Sequence, residues 1–164
     1  MDLDEKIRQS KQILKDLRYP EDIIDDKAAL LFLALNGQKI ESNWGESQKI
    51  RKSVNDLLNF IERVYNLDFR YLKNSIKKVK FYPLLDFGIA KNIVFEMEPI
   101  VERPMVIQLR EEAFDVVRYF GTSEYSTHLQ VFLDKQPIFK NEFKDTLVKY
   151  LKLKEEGIID GLKR

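Results

Sequence analysis

The chain has no cysteine and one histidine, His128. Without thiols it can form no disulfide, no thiolate nucleophile and no cysteine-ligated zinc site, and one imidazole cannot build a histidine-rich metal centre. Any catalysis would have to rest on carboxylates, hydroxyls or lysines. No apolar run approaches the roughly 20 residues that a membrane span needs. The N-terminus, MDLDEKIRQS, lacks the apolar stretch of a secretory signal, so the expectation is a soluble cytoplasmic protein with no membrane partner. A glycine-rich phosphate loop, an internal repeat and a low-complexity tract are all missing. The chain also lacks an overall charge: 28 Lys and Arg face 27 acids, a net of +1. It therefore has little global attraction for nucleic acid, and any DNA binding must depend on a local patch.

Such a patch is present. The 164 residues, 44% hydrophobic and 34% charged, have room for one domain or two small ones sharing a core. Their charge is focused between Arg70 and Lys91, in RYLKNSIKKVKFYPLLDFGIAK, where six Lys and Arg face one acid, Asp86, so that the segment carries 6 − 1 = +5 and the rest −4. Leu72, Ile76, Val79 and Phe81 recur there by threes and fours, which predicts a helix with that stripe buried. Lys73, Lys77 and Lys80 then share an outer face, with Lys78 at its margin. A basic helix face is often only solvated surface. Here Pro83 should kink or interrupt the helix, Gly88 stops it, and a β-forming run follows, as in a winged helix.

The flanking sequence supports a mainly α fold. Leu3, Ile7, Ile13, Leu14 and Leu17 predict a first helix over 3–18, ended by Tyr19-Pro20. Asp25 or Asp26 caps a second, apolar on all sides from Ala28 to Leu35 and closed by Asn36-Gly37, hence central and buried. Trp44 sits in a polar loop and should fold back onto the core. Ser53-x-x-Asp56 resembles a capping box before a third helix with Leu57, Leu58, Ile61, Val64 and Tyr65 on one side. Residues 92–97 and 105–109 predict a hairpin whose loop holds Pro99, Arg103 and Pro104. Beyond it, a helix over 111–120 ends at Gly121, Thr122 or Ser123 caps another to about Leu133, and Pro137 opens a last one. Phe139, Phe143, Leu147, Tyr150 and Leu151 supply the inner face of this bundle, and the tail from Gly157 should fray. The expected organisation is a winged helix-turn-helix domain over 1–110, with a β-hairpin wing, and a C-terminal helical extension over 111–164 packed on it.

Catalysis is not expected. Glu142-Phe143-Lys144 has the letters of a nuclease Glu-x-Lys pair, but it falls in a helical segment without an acidic strand before it, and reads as surface charge. His128 has no Ser or Asp constellation and should face solvent. No catalytic residue, cofactor or metal site follows from the sequence.

One set of residues resembles a known family. It runs from Ile13-Leu14-Lys15-x-Leu17 and a following proline through Asp26-x-Ala28-Ala29-Leu30, Leu33-Ala34-Leu35, Trp44 and Phe60-Ile61-Glu62-Arg63-x-Tyr65. It continues with Ser75-Ile76-Lys77-Lys78, Gly88-Ile89, Val106-Ile107-Gln108-Leu109 and Ala113-Phe114, and ends with Tyr119-Phe120-Gly121-Thr122-x-Glu124-Tyr125 and Leu129-x-x-Phe132-Leu133. In order and spacing these resemble the N-terminal domain of BsuBI/PstI-type type II restriction endonucleases, over nearly the whole chain to about residue 145. The resemblance implies a winged helix-turn-helix module that helps hold DNA, with the nuclease centre in a separate C-terminal domain. Two departures stand out: the family's proline- and asparagine-rich wing is matched only by Pro99 and Arg103-Pro104, and the chain ends where the catalytic domain would begin, as a fragment or a free-standing relative would.

The reading is therefore double-stranded DNA binding, as the recognition domain of a restriction endonuclease-like system, with duplex DNA and a nuclease domain or subunit as partners. Lys77, Lys78 and Lys80 are the expected phosphate contacts, Lys73, Asn74 and Ser75 the candidates for base edges, and Arg103 a wing contact. The alternative is a protein-protein interaction module on the same fold, presenting Tyr82, Phe87 and the C-terminal aromatics to another subunit.

Overall fold

Three local caps start the first helices, and two of them, at Asp25 and at Ser53 with Asp56, lie where the sequence places them. Helix α1 (Leu3–Asp16) begins at Asp2, whose carboxylate accepts the Glu5 amide at 2.9 Å. Helix α2 (Asp26–Leu35) begins at Asp25, which accepts the Ala28 amide at 2.9 Å. Helix α3 (Val54–Tyr65) begins with the reciprocal box of Ser53 and Asp56, each side chain 3.1 Å from the other's amide. These bonds satisfy helix N–H groups that have no intrahelical partner. The computed structural model describes residues 2–69, 80–96 and 105–157.

Every residue of α2 from Ala28 to Leu35 is buried, as an element apolar on all faces requires. Around it lie α1, contributing Ile13 and Leu14, and α3, contributing Leu57, Leu58 and Ile61. Trp44 heads a short turn, Trp44–Glu46, and is 5% exposed. Its indole N–H donates to Gln9 Oε1 at 2.7 Å, its ring meets Phe120 edge-on at 5.9 Å, and the Lys6 ammonium lies 4.6 Å from its centroid. Lys6 is itself buried and donates to Gln38 Oε1 at 2.6 Å. Burial pushes its pKa down, and the Glu46 charge opposes that shift.

Three short strands form an antiparallel sheet in the order β1-β3-β2: β1 (Lys52–Ser53), β2 (Ala90–Asn92) and β3 (Val106–Leu109). Ser53 pairs with Val106, Ala90 with Leu109, and Asn92 with Ile107. The predicted hairpin is present, but its first strand lies earlier than 92–97. Residues Ile93–Glu96 instead form a 3₁₀ turn, started by the Asn92 side chain, which accepts the Val94 amide at 3.2 Å. The order α2, β1, α3, α4 (Tyr82–Asp86), β2 and β3, with a β1-β3-β2 sheet, makes a mainly helical winged helix-turn-helix layout.

The C-terminal part differs from the expected bundle. After α5 (Glu111–Arg118) the chain turns at Gly121, with φ of 84°, and a single 31-residue helix, α6 (Tyr125–Glu155), replaces the two shorter ones. Pro137 lies inside α6 rather than at the start of a helix. A helix-interior proline costs roughly 3 kcal/mol, and the anchorage on either side offsets it: Phe132 and Phe139 are buried. Between them the Gln136 amide donates to the carbonyls of Leu17 (3.0 Å) and Phe87 (2.8 Å). Tyr150 is buried as expected, whereas Leu151, assigned to the inner face, is 47% exposed, and Val148 beside it more so. Among the described residues no helix is long and apolar enough to cross a membrane.

Candidate nucleic-acid interface

Of the residues expected to contact DNA, Lys73, Asn74, Ser75, Lys77 and Lys78 fall in 70–79 and Arg103 in 97–104, outside the described residues. What the structure describes is how the basic segment is held at its two ends. On the entry side, α3 closes at Asn66, in the left-handed region with φ of 59°, and Phe69 packs half-buried on the core.

The exit side is tied down harder. Lys80, expected on the outer face with Lys73 and Lys77, is buried: its side chain is 10% exposed, and Nζ donates to Asp25 Oδ2 at 2.9 Å and to the Ile23 carbonyl at 3.0 Å. The Tyr19 hydroxyl donates to the Lys80 carbonyl at 2.9 Å, and Phe81 is fully buried. Two causes correct the expected register. Lys80 and Phe81 occupy a wide π-type turn ahead of α4, whose backbone departs from the 3.6-residue period on which the expected face rests, and both are buried. The carboxylate of Asp25, 55 residues away in sequence, also draws the ammonium in. Asp25 thereby caps α2 with one oxygen and pairs Lys80 with the other. Partial burial pushes its carboxyl pKa up, but the Ala28 amide and the Lys80 ammonium together hold it below its ordinary value.

Pro83 is accommodated as the second residue of α4, where a helix needs no N–H donor. Gly88 then ends the segment, with φ of 70°; its amide donates to the Leu85 carbonyl at 3.1 Å and that of Ile89 to the Leu84 carbonyl at 2.9 Å. The turn leads straight into β2. It is also crowded, since a β-carbon on Gly88 would lie 2.5 Å from that of Phe139 on α6.

The remaining chemical candidates have structural surroundings. Glu142 and Lys144 sit within α6, and Glu142 pairs with Arg110 at 3.4 Å. His128, expected to face solvent, is half-buried and stacks on Tyr119, with ring centroids 4.2 Å apart. Among the described residues no three His, Cys, Asp or Glu side chains gather as a metal site would require. Tyr82 and Phe87, invoked for a protein-binding surface, are half-buried against the core, and the Lys140 ammonium lies 5.0 Å over the Phe87 ring. The Asp25–Lys80 pair is not foreseen from the sequence, whose one signal for it is a carboxylate already assigned to a cap.

Comparison with known proteins matches residues 4–141 to the model of the BsuBI/PstI restriction endonuclease HTH domain. Over 132 residues, 79% of this chain and 42% of the relative, it is 20% identical to the type II restriction enzyme BsuBI of Bacillus subtilis. Over 145 residues, 86% of this chain and 44% of the relative, it is 21% identical to the type II restriction enzyme AplI of Arthrospira platensis. Among solved structures, that of SdaI restriction endonuclease superposes with a TM-score of 0.69 at 21% identity, over 92% of this chain and 49% of that one. This last likeness is one of fold. The chain spans less than half the length of each of these relatives.

Proposed function

Since this chain belongs to the family of the BsuBI/PstI restriction endonuclease HTH domain, we propose that it binds double-stranded DNA as the recognition module of a type II restriction endonuclease-like system. The observation that carries this reading is where the charge lies. With Lys80 paired to Asp25 and Lys91 in β2, the basic segment keeps Arg70, Lys73, Lys77 and Lys78 in 70–79, with no acid among them, between α3 and α4, the position at which a winged helix-turn-helix carries the helix that enters the major groove. In this reading Lys77 and Lys78 contact phosphates, Lys73, Asn74 and Ser75 reach base edges from the start of the helix, and Arg103 extends the contact through the wing. Lys80 has a different role from the one its sequence position suggests: it fixes the base of the helix against α2 and touches no DNA. Strand cleavage belongs to a nuclease domain or subunit that this module serves.

A salt titration tests the reading. Lys77→Ala should weaken binding to all duplex sequences alike and lower the slope of log K against log salt by about 0.9, the contribution of one phosphate contact. Its stability should move by no more than about 0.5 kcal/mol, and Asn74→Ala should mainly relax sequence preference. Binding by Lys77→Ala that matched the parent at every salt concentration would remove 70–79 as the DNA-facing element and favour a protein-interaction module.

A second expectation concerns cleavage. Incubated with duplex DNA and Mg²⁺, the purified chain should leave the DNA intact, because Glu142 is engaged with Arg110 and none of the described strands carries an acid that could complete a two-carboxylate metal site. Cutting that disappears in Glu142→Ala would overturn this.

A further inference from the structure

A groove of about 560 Å³ opens between the end of α1 and the middle of α6. Arg18, Lys140 and Lys144 line it together with Asn141, Gln136 and a single acid, Asp134, so its charge is 3 − 1 = +2. The cations are not neutralised from within: none of the three has an acidic partner among the described residues. Asp134 instead accepts the Gln130 amide at 2.7 Å. Lys140 and Lys144 stand one turn apart on the same helix face, about 6 Å along its axis, a like-charge spacing that disfavours the isolated helix. Arg18 is held in the left-handed region, with φ of 65°, where residues other than glycine are uncommon. That angle is the ordinary close of α1, with the Tyr19 amide reaching back to the Leu14 carbonyl at 2.9 Å; it is the three cations along one groove, none with an acidic partner among the described residues, that favour a polyanion.

The position of the groove narrows the choice of polyanion. Gln136, at the groove wall, donates to the carbonyl of Phe87, the residue that follows α4, and Lys140 covers the ring of that residue. Two of the residues that line the groove thus contact Phe87, close to where the basic segment ends. We propose that it receives the sugar-phosphate backbone of the bound duplex beyond the stretch read by the 70–79 segment, with Arg18, Lys140 and Lys144 each facing a phosphate. This rests on the DNA-binding reading above. It adds a second, sequence-independent contact outside the winged helix, on the long C-terminal helix.

The test compares the parent, the triple variant Arg18→Gln/Lys140→Gln/Lys144→Gln and Lys77→Ala on two duplexes, one of roughly 10 base pairs, a single helical turn, and one of roughly 30. Glutamine keeps most of each stem, and an unchanged melting temperature checks the fold. On the long duplex the triple variant should bind about ten- to a hundredfold more weakly near physiological salt, with a slope of log K against log salt smaller by about 2.7, three contacts at 0.9 each. On the short duplex it should match the parent. Lys140→Arg/Lys144→Arg, which keeps the charge, should bind the long duplex as the parent does. Parent-like binding of the long duplex by the triple variant overturns the proposal while leaving the 70–79 segment untouched. Equal loss on both duplexes overturns the flanking placement. Loss in the triple variant with none in Lys77→Ala would retain the groove and remove the 70–79 segment as the reader. A polyglutamate peptide bound by the parent and not by the triple variant, with DNA binding unaffected, would assign the groove to an acidic protein segment instead.

Discussion

Gly88→Ala is expected to lower stability by roughly 2 to 5 kcal/mol, a large share of the 5–15 kcal/mol typical of a domain. Two effects add. At φ of 70° an L-residue is disfavoured by roughly 1–2 kcal/mol. The new methyl would also lie 2.5 Å from the β-carbon of Phe139, forcing a buried aromatic of α6 to move, and overpacking of that kind costs about 1–3 kcal/mol. Gly121→Ala separates the two effects. Gly121 has φ of 84°, but a methyl group there would meet nothing within 4 Å, so it should lose only the first amount. Chemical denaturation of the two variants reads the difference directly. Equal losses would mean that α6 does not press on the exit of the basic segment.

The second large effect is expected at Asp25. Asp25→Ala removes the α2 cap, worth about 1 kcal/mol, and leaves the Lys80 ammonium, on a side chain only 10% exposed, with the Ile23 carbonyl as its remaining partner. Removing one member of a fully buried pair costs about 3–5 kcal/mol. Asp25 is half-exposed, with a side chain 50% accessible, so solvent screening reduces this and a total of about 2–4 kcal/mol is expected. Asp25→Asn keeps an oxygen for the Ala28 amide and should lose less. The dependence on pH has a definite sign. The folded-state pKa of Asp25 is depressed, so its contribution is complete above the ordinary carboxylate value of about 4 and drains away as pH falls through the folded value. Melts of the parent and Asp25→Asn should therefore converge on acidification. A gap that stayed constant from neutral to acidic pH would show that charge is not what Asp25 contributes.

The parts of this fold that the sequence made legible are those set by neighbours in the chain. Asp25, Ser53 with Asp56, Gly37, Gly88 and Gly121 mark helix ends through bonds or backbone angles that span a few residues, and each marks one here. The eight apolar residues from Ala28 to Leu35 could only be central. Features set by distant partners were not legible. Strand β1 is two residues long, too short for any alternation to register, and exists because β3 pairs with it. Pro137 looked like a helix start because local propensity makes it one, whereas Gln136 and the flanking phenylalanines hold the helix together through it. Lys80 fitted the basic face by periodicity and was turned inward by Asp25 and the wide turn. The groove on α6 escaped for the same reason, since Arg18 and Lys140 lie 122 positions apart in the sequence.

Trp44 is the one indole in the chain, and its place between α1 and the end of α5 makes it an optical reporter. Its ring is screened from water, hydrogen-bonded to Gln9 of α1 and set edge-on against Phe120. Fluorescence from this protein excited at the tryptophan band therefore comes from one site inside the helical core, held by α1 and Phe120 rather than by the Asp25–Lys80 clasp. Its emission should stay at the short wavelengths of a buried indole while the clasp alone opens, and move to the red only when α1 and α5 part. A probe of secondary structure would register the first event and the tryptophan only the second, so the same two signals that follow a melt also distinguish a local loosening around the Asp25–Lys80 clasp from loss of the whole fold.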